Sequence, residues 1–119
     1  MAEDIGLGGR GGYYDGVGAA RDVIQNHLLQ LLCIVAMEAP ISLDPDDVRD
    51  EKLKVLRSLR RMTPEEVARN TVRGQYRAVV VEGEPTVGYV GESGVPVASG
   101  TETFVALRLQ IHNPRWAGV

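Results

Sequence analysis

The chain has 119 residues, a formal net charge of -3 and a single cysteine. This length leaves room for one domain of ordinary size, and one cysteine excludes both an intrachain disulfide and a cysteine-rich zinc site. Sixteen acidic residues outnumber thirteen basic ones, which argues against nucleic acid as the main partner, because phosphate contacts need a basic face. Cys33 lies in the apolar run 28–37 and is expected to be a buried small hydrophobe.

The first ten residues, MAEDIGLGGR, carry acidic charge where a secretory signal carries basic charge. The longest apolar run holds about ten residues, roughly half of what a membrane span needs. We therefore predict a cytoplasmic chain with no membrane partner.

Residues 5–18, IGLGGRGGYYDGVG, form a glycine-rich segment that is typical of a loop. Within it, residues 6–11 match the G-x-G-x-x-G pattern of dinucleotide-binding loops. That fingerprint needs a strand directly before it and another strand after its helix. Only five residues precede Gly6, and a second helix is expected to follow the first. The loop is therefore predicted not to bind a dinucleotide.

A helical pattern follows the glycine-rich segment. Apolar residues recur at spacings of three or four from Val17 to Val35, and Pro40 is expected to end the helix. Asp15 is predicted to be its N-cap. The first half is amphipathic and the second half is apolar nearly all round, which predicts that the second half is buried.

Two further helices are indicated downstream. Asp44 followed by Pro45 predicts the start of the first of them. Thr63 with Glu66 forms a capping box that predicts a short additional helix. Four apolar residues are expected on one face of the helix that starts at Pro45: Val48, Leu53, Leu56 and Leu59.

The last third of the chain is predicted to be β-rich. Residues 74–83 indicate a strand, residues 83–100 a long surface loop, and residues 101–116 a half-buried strand with alternating apolar residues. Two strands alone do not make a stable sheet. Further strands are expected from another chain or from a longer one, and the ending RWAGV suggests a chain that continues.

Asp22 and His27 are the candidate functional residues of the first helix. His27 lies where its polar half meets its apolar half, the natural edge of a pocket, and an imidazole suits proton transfer near neutral pH. Asp22, five residues earlier, would lie about 140° away around an α-helix, so the two would flank a ligand without pairing. On the residues alone, a structural or surface histidine stays the more common interpretation. His112 is interpreted as a surface residue at a strand end.

A long stretch, residues 2–32, resembles one region of the glucose-6-phosphate dehydrogenase family. In that family an acidic residue at a strand end precedes a G-R-G-G-[YF]-[YF]-D loop and a helix with R-D-x-x-Q-N-H-[LM]-[LM]-Q. Here these correspond to Glu3, residues 9–15 and residues 21–30. Similar segments continue along essentially the whole chain, at 36–40, 46–56, 74–76, 88–90, TETF and RWAGV.

The resemblance implies an α+β fold in which a helical hairpin packs on strands of a larger, mostly antiparallel sheet. Residues 1–119 would be part of the family's C-terminal domain. The implied activity is the NADP-dependent oxidation of glucose 6-phosphate to 6-phosphogluconolactone in the pentose phosphate pathway. His27 would take the proton from the C1 hydroxyl as hydride leaves C1 for NADP, while Asp22 and Glu3 would contact sugar hydroxyls.

The family's NADP-binding N-terminal domain and its R-I-D-H-Y-L-G-K segment have no counterpart in these residues. NADP would thus be bound by the remainder of the parent chain, which as a full enzyme is expected to be a homo-oligomer. The isolated chain is expected to be inactive. The alternative is a non-catalytic structural or oligomerisation module derived from that enzyme, because unpaired strands favour association.

Overall fold

The computed structural model describes residues 6–119. They divide into two compact units, one made of the residues up to 22 with 73–106 and the other of 23–72 with 107–119. The helices are α1 Gly11–Asp15, a π-helix Ala20–Leu28, α2 Leu29–Ala36, α3 Pro45–Ser58 and α4 Pro64–Asn70, with 3-10 turns at Tyr89–Gly91 and Pro114–Trp116. The strands are β1 Thr71–Gly74, β2 Val79–Val81, β3 Glu84–Thr86 and β4 Phe104–Leu107. Strand β1 pairs with β4, and β2 pairs antiparallel with β3, so the predicted α+β class is confirmed.

The unit made of 23–72 and 107–119 is organised around a helical hairpin. Cys33 and Ala36 on α2 pack against Val55 on α3, and all three are buried. The Trp116 indole nitrogen donates a hydrogen bond to the Ala36 carbonyl at 3.1 Å. Burial raises the pKa of the Cys33 thiol, and the prediction of a buried small residue at Cys33 is confirmed.

The predicted burial of the whole apolar half of the first helix is wrong within the described residues. Leu31, Ile34 and Val35 are each more than half exposed. The reason is that α2 packs closely on α3 through the side that carries Cys33 and Ala36, which leaves its other sides uncovered. These side chains form an exposed apolar surface of the kind that promotes association.

Helix α3 begins at Pro45 as predicted, but its buried face differs from the predicted one. Val55 is the buried residue, while Leu53 and Leu56 are over a third exposed. The face toward α2 runs through Lys52, whose ammonium donates to the Gln30 side chain at 3.1 Å. Because a charged residue lies on the side of α3 that faces α2, the spacing of apolar residues alone does not identify that side as the buried face.

Local helix signals are reproduced in detail. The Thr63 hydroxyl accepts from the Glu66 amide at 3.3 Å, and the Glu66 carboxylate accepts from the Thr63 amide at 3.0 Å. This is the predicted capping box, and it starts α4. Glu51 and Lys54, three residues apart on α3, form an ion pair at 2.6 Å.

The other unit has an aromatic core. Tyr89, only 1% exposed, lies with Leu7 and Val95 and is flanked by Tyr14 and Tyr76. The ring centroids of the two flanking tyrosines lie 6.1 and 5.8 Å from that of Tyr89, in edge-on arrangements. The prediction of a surface loop at 83–100 is therefore wrong for this part. Glycine and proline make its backbone irregular, but they do not prevent the side chains between them from turning inward.

Asp15 does not have its predicted N-cap role. It is the last residue of α1, and its carboxylate accepts hydrogen bonds from the hydroxyls of Ser99 and Tyr89, the latter at 2.9 Å. Those bonds, led by that of Ser99, lower the pKa of Asp15. The Asp15 carboxylate thus binds the 83–100 segment and does not cap the helix that follows Asp15 in the sequence.

The predicted strands are only partly confirmed. In place of one strand over 74–83, β1 ends at Gly74 and β2 begins at Val79. Between these two strands, the side-chain amide nitrogen of Gln75 donates hydrogen bonds to the backbone carbonyls of Ser99 and Thr101, at 2.9 and 2.8 Å. Strand β4 is shorter than predicted, yet alternation between exposed and half-buried residues runs through 104–112, as expected.

The tyrosine core predicts a measurable pH dependence. Burial, followed by a hydrogen bond to Glu92 for Tyr76 and to Asp15 for Tyr89, raises the pKa of each phenol from 10.0 to about 12. A raised folded-state pKa gives stability that is complete below pH 10 and is lost as the pH rises toward 12. We expect absorbance at 295 nm to show delayed phenolate formation, coincident with loss of near-ultraviolet circular dichroism. Ionisation of all the tyrosines near pH 10 without unfolding would contradict this.

Among residues 6–119, no helix is both long and apolar enough to cross a membrane.

Candidate functional site

The R-D-x-x-Q-N-H segment lies in a π-helix, which changes the expected geometry of its polar residues. The nine residues Ala20–Leu28 form this element, and each π-helical hydrogen bond spans five residues instead of four. A turn therefore holds more residues than in an α-helix. Asp22 and His27 lie five residues apart. The predicted separation of 140° assumed an α-helical turn, whereas the structure describes a π-helix over these residues.

The two candidate side chains differ in exposure. His27 is exposed and Asp22 is half-buried, in an element where Gln25 and Asn26 are also exposed. An exposed imidazole is open to a ligand, and a carboxylate is an acceptor for ligand hydroxyls. Glu3, the third predicted site residue, lies outside the described residues. His112 is exposed, in agreement with its interpretation as a surface residue.

Asp22 has an identifiable neighbour within its own unit. The pKa of the Tyr14 phenol is raised, first by burial and then by the negative charges of Asp22 and Glu102. The hydroxyl of Tyr14 also lies 3.4 Å from the Glu102 carbonyl, to which it donates. Tyr14 therefore lies in the field of both carboxylates.

Glu102 is a residue that sequence reasoning did not select. Its carbonyl accepts from the Ala19 amide at 3.0 Å, and its carboxylate accepts from the Ala20 amide at 3.1 Å. These are the amides at the start of the π-helix. Residues 82 positions apart carry no local sign that they meet. The TETF similarity was the one available signal, and it was interpreted as part of a strand.

The glycine-rich segment fails the structural test for a dinucleotide site. A Cβ atom on the buried Gly11 would lie 2.3 Å from the Ser93 carbonyl oxygen and 2.9 Å from a Val95 methyl group. This glycine is therefore needed for close packing of its own unit. The helix that follows is only five residues long, too short for the phosphate-binding helix of a nucleotide fold. The glycine-rich segment therefore does not have the geometry of a dinucleotide-binding loop.

An open cavity of about 790 Å³ occurs in the unit that contains the tyrosine core. Arg73, Tyr76, Arg77 and Glu102 are among its lining residues, and Asp22 is not. Its walls combine guanidinium groups with a carboxylate, and this mixture of charges does not define a ligand class. The cavity therefore does not include the candidate residue Asp22.

Comparisons with known proteins agree with one another. A family model described as the glucose-6-phosphate dehydrogenase C-terminal domain matches residues 1–119. Glucose-6-phosphate 1-dehydrogenase of Rhizobium meliloti (strain 1021) is 58% identical over the whole chain, and that of Aggregatibacter actinomycetemcomitans is 57% identical over 118 residues. In both cases the chain spans 24% of the relative's length.

Solved structures give the same result. The crystal structure of glucose-6-phosphate 1-dehydrogenase from Mycobacterium avium superposes with a TM-score of 0.83 at 50% identity, covering all of this chain and 23% of that one. A structure described as glucose-6-phosphate dehydrogenase in complex with its substrate glucose-6-phosphate gives 0.81 at 43% identity, covering 98% and 23%. The chain therefore belongs to the glucose-6-phosphate dehydrogenase family, and all of its residues, 1–119, match the model of that family's C-terminal domain.

Proposed function

We propose that this chain is the part of a glucose-6-phosphate 1-dehydrogenase that removes the proton from the sugar during oxidation. The observation that carries the proposal is the exposed His27 of the Q-N-H segment, in a π-helix that also carries Asp22. π-Helical segments are rare in proteins, and those that do occur often lie at functional sites. The 58% identity to the Rhizobium meliloti enzyme over all 119 residues supports the same assignment.

In this proposal the neutral His27 imidazole accepts the proton of the sugar's C1 hydroxyl as a general base. Asp22 accepts hydrogen bonds from other sugar hydroxyls and thereby orients the ring, since a carboxylate has acceptor sites only. Glu3 has the same role by family resemblance. The products are 6-phosphogluconolactone and reduced cofactor, and the pathway is the pentose phosphate pathway.

NADP, implied by family resemblance, is assigned in this proposal to protein outside these 119 residues. The full enzyme would be a cytoplasmic homo-oligomer. The chain alone would be inactive, because oxidation requires the cofactor and C1 to be held in a reactive geometry.

A second candidate function is a non-catalytic oligomerisation module. It is favoured by strand β2, where Val79, Val80 and Val81 are all more than half exposed. An exposed apolar strand invites pairing with another chain. The two candidates differ in what they predict for a reconstituted enzyme.

A hybrid enzyme tests the proposal. In it, residues 1–119 replace the corresponding quarter of the Rhizobium meliloti enzyme. We expect the hybrid to form NADPH from glucose 6-phosphate and NADP, and the 119-residue chain to form none. Circular dichroism and mass in solution check that both are folded. A folded, correctly assembled but inactive hybrid would favour the oligomerisation module, and NADPH formation by the short chain alone would contradict the proposed division of the site.

A further inference from the structure

The start of the helix that carries Asp22 is bound by a residue from far along the chain. Glu102 accepts the Ala19 amide with its carbonyl oxygen at 3.0 Å and the Ala20 amide with a carboxylate oxygen at 3.1 Å. Ala20 is the first residue of the π-helix and Asp22 is the third. One side chain therefore fixes the backbone two residues before the candidate substrate contact.

A π-helix has a particular need for such an acceptor. Its hydrogen bonds span five residues, so more amides at its start lack a partner within the helix than in an α-helix. A negative charge at that end is also favoured, because the amides give it partial positive charge. Glu102 supplies two acceptors at this place, its carbonyl oxygen and its negatively charged carboxylate.

The surrounding contacts hold Glu102 itself. Gly18 has φ of +71°, and a Cβ atom there would lie 2.8 Å from the Glu102 carboxylate, so glycine is required at this position. The Thr101 hydroxyl donates to the Asp15 carbonyl at 2.7 Å, and the Tyr14 hydroxyl donates to the Glu102 carbonyl. The segment 101–102 is thus tied to the chain on the N-terminal side of the helix.

We propose that Glu102 is a positioning residue for substrate binding: by capping the π-helix it sets the place of Asp22 against the sugar hydroxyls. The inference rests on the proposed function, because it needs Asp22 to contact substrate. Glu102 touches the helix backbone and acts through Asp22. His27 lies seven residues after Ala20, so the proton-accepting group depends less on this cap than Asp22 does.

Three substitutions of Glu102 in the hybrid enzyme distinguish the effect of losing the helix cap from the effect of a general loss of stability. Glu102→Ala removes the side-chain acceptor, and Glu102→Asp keeps the charge but withdraws the carboxylate from Ala20. Glu102→Gln keeps an oxygen that accepts from that amide. We expect the first two to raise KM for glucose 6-phosphate about fivefold to tenfold with kcat within about threefold, the size of effect that loss of a helix cap produces. Glu102→Gln should keep KM within about twofold of the starting value.

Glu92→Ala is the matched control. It removes a carboxylate that accepts from the Tyr76 hydroxyl at 2.9 Å in the same unit, and it leaves the helix start intact. Its KM should be unchanged. Unchanged KM in both Glu102→Ala and Glu102→Asp would overturn the proposal, as would an equal rise in KM in Glu92→Ala.

Hydrogen exchange gives a readout that does not depend on activity. Peptides covering residues 18–23 should exchange faster in Glu102→Ala and Glu102→Asp than in Glu102→Gln or Glu92→Ala, because the freed amides open more often. Equal exchange in all four variants would overturn the capping role, even in a folded hybrid without activity. A different outcome is an unsubstituted hybrid that is inactive although the Glu102 variants show the expected differences in hydrogen exchange. That result would support the capping role, but it would count against the proposed function and against the effect of the cap on substrate binding.

Discussion

Replacing His27 by asparagine in the hybrid enzyme is expected to lower kcat by about 10²- to 10⁴-fold, the usual contribution of a positioned general base. Asparagine is close to histidine in size and still offers polar atoms to a sugar hydroxyl, but its amide does not take up a proton. KM for glucose 6-phosphate should change far less than kcat, because the loss concerns the transition state more than binding. Steady-state kinetics at several pH values would measure both.

His112→Asn is the matched control, because the chain contains only two histidines and both are exposed. His112 follows the strand region, and its backbone amide donates to the Ser58 carbonyl at 2.8 Å, a bond that the substitution retains. Its kcat is expected to stay within about twofold of the starting value, as for most surface substitutions. Near-normal kcat in His27→Asn, or equal losses in both variants, would contradict the role proposed for His27.

Substitution of Gly11 by alanine should strongly destabilise the unit that contains the tyrosine core. The added methyl group would lie 2.3 Å from the Ser93 carbonyl oxygen. That atom belongs to the backbone, so relief requires the 93–95 segment to move away from α1. Overpacking of this kind costs about 1 to 3 kcal/mol of unfolding free energy, and a backbone clash this short places the variant at the upper end of that range. Urea titration of the 119-residue chain, followed by near-ultraviolet circular dichroism of the tyrosine core, would measure the loss.

Gly12→Ala, one residue along the same helix, is the control. A Cβ atom there would lie 3.6 Å from the Gly94 carbonyl oxygen, an ordinary contact. Alanine also restricts the unfolded chain more than glycine does, so this variant should be neutral or more stable by about 0.5 kcal/mol. Equal unfolding midpoints for the two variants would show that residues 93–95 do not pack on α1 as described.

Features of this chain that depend on neighbouring residues could be predicted from the sequence. The start of α3 at Pro45 and the capping box of Thr63 with Glu66 depend on residues within one turn of each other. Such signals act before any tertiary contact forms, and the sequence predicted both correctly. The same holds for the alternation of exposure through 104–112, since successive side chains of an extended chain point to opposite faces.

The family could also be inferred from the sequence, because the R-D-x-x-Q-N-H segment is long and unusual and its residues are adjacent along the chain. That segment named Asp22 and His27 as candidates. It did not reveal that both residues lie in a π-helix, because a π-helix differs from an α-helix in hydrogen bonding and leaves no distinct apolar period in so short an element.

The amino-acid sequence by itself determined the helix starts, the alternation of the last strand region and the candidate residues of the π-helix. Only the tertiary structure decided which side chains are buried and what holds the candidate helix. Tyr89 became a core residue, Val55 replaced its leucine neighbours on the packed face, and Glu102 became a helix cap. The physical reason is range: each of these outcomes joins residues that lie far apart along the chain, where local composition and periodicity carry no information.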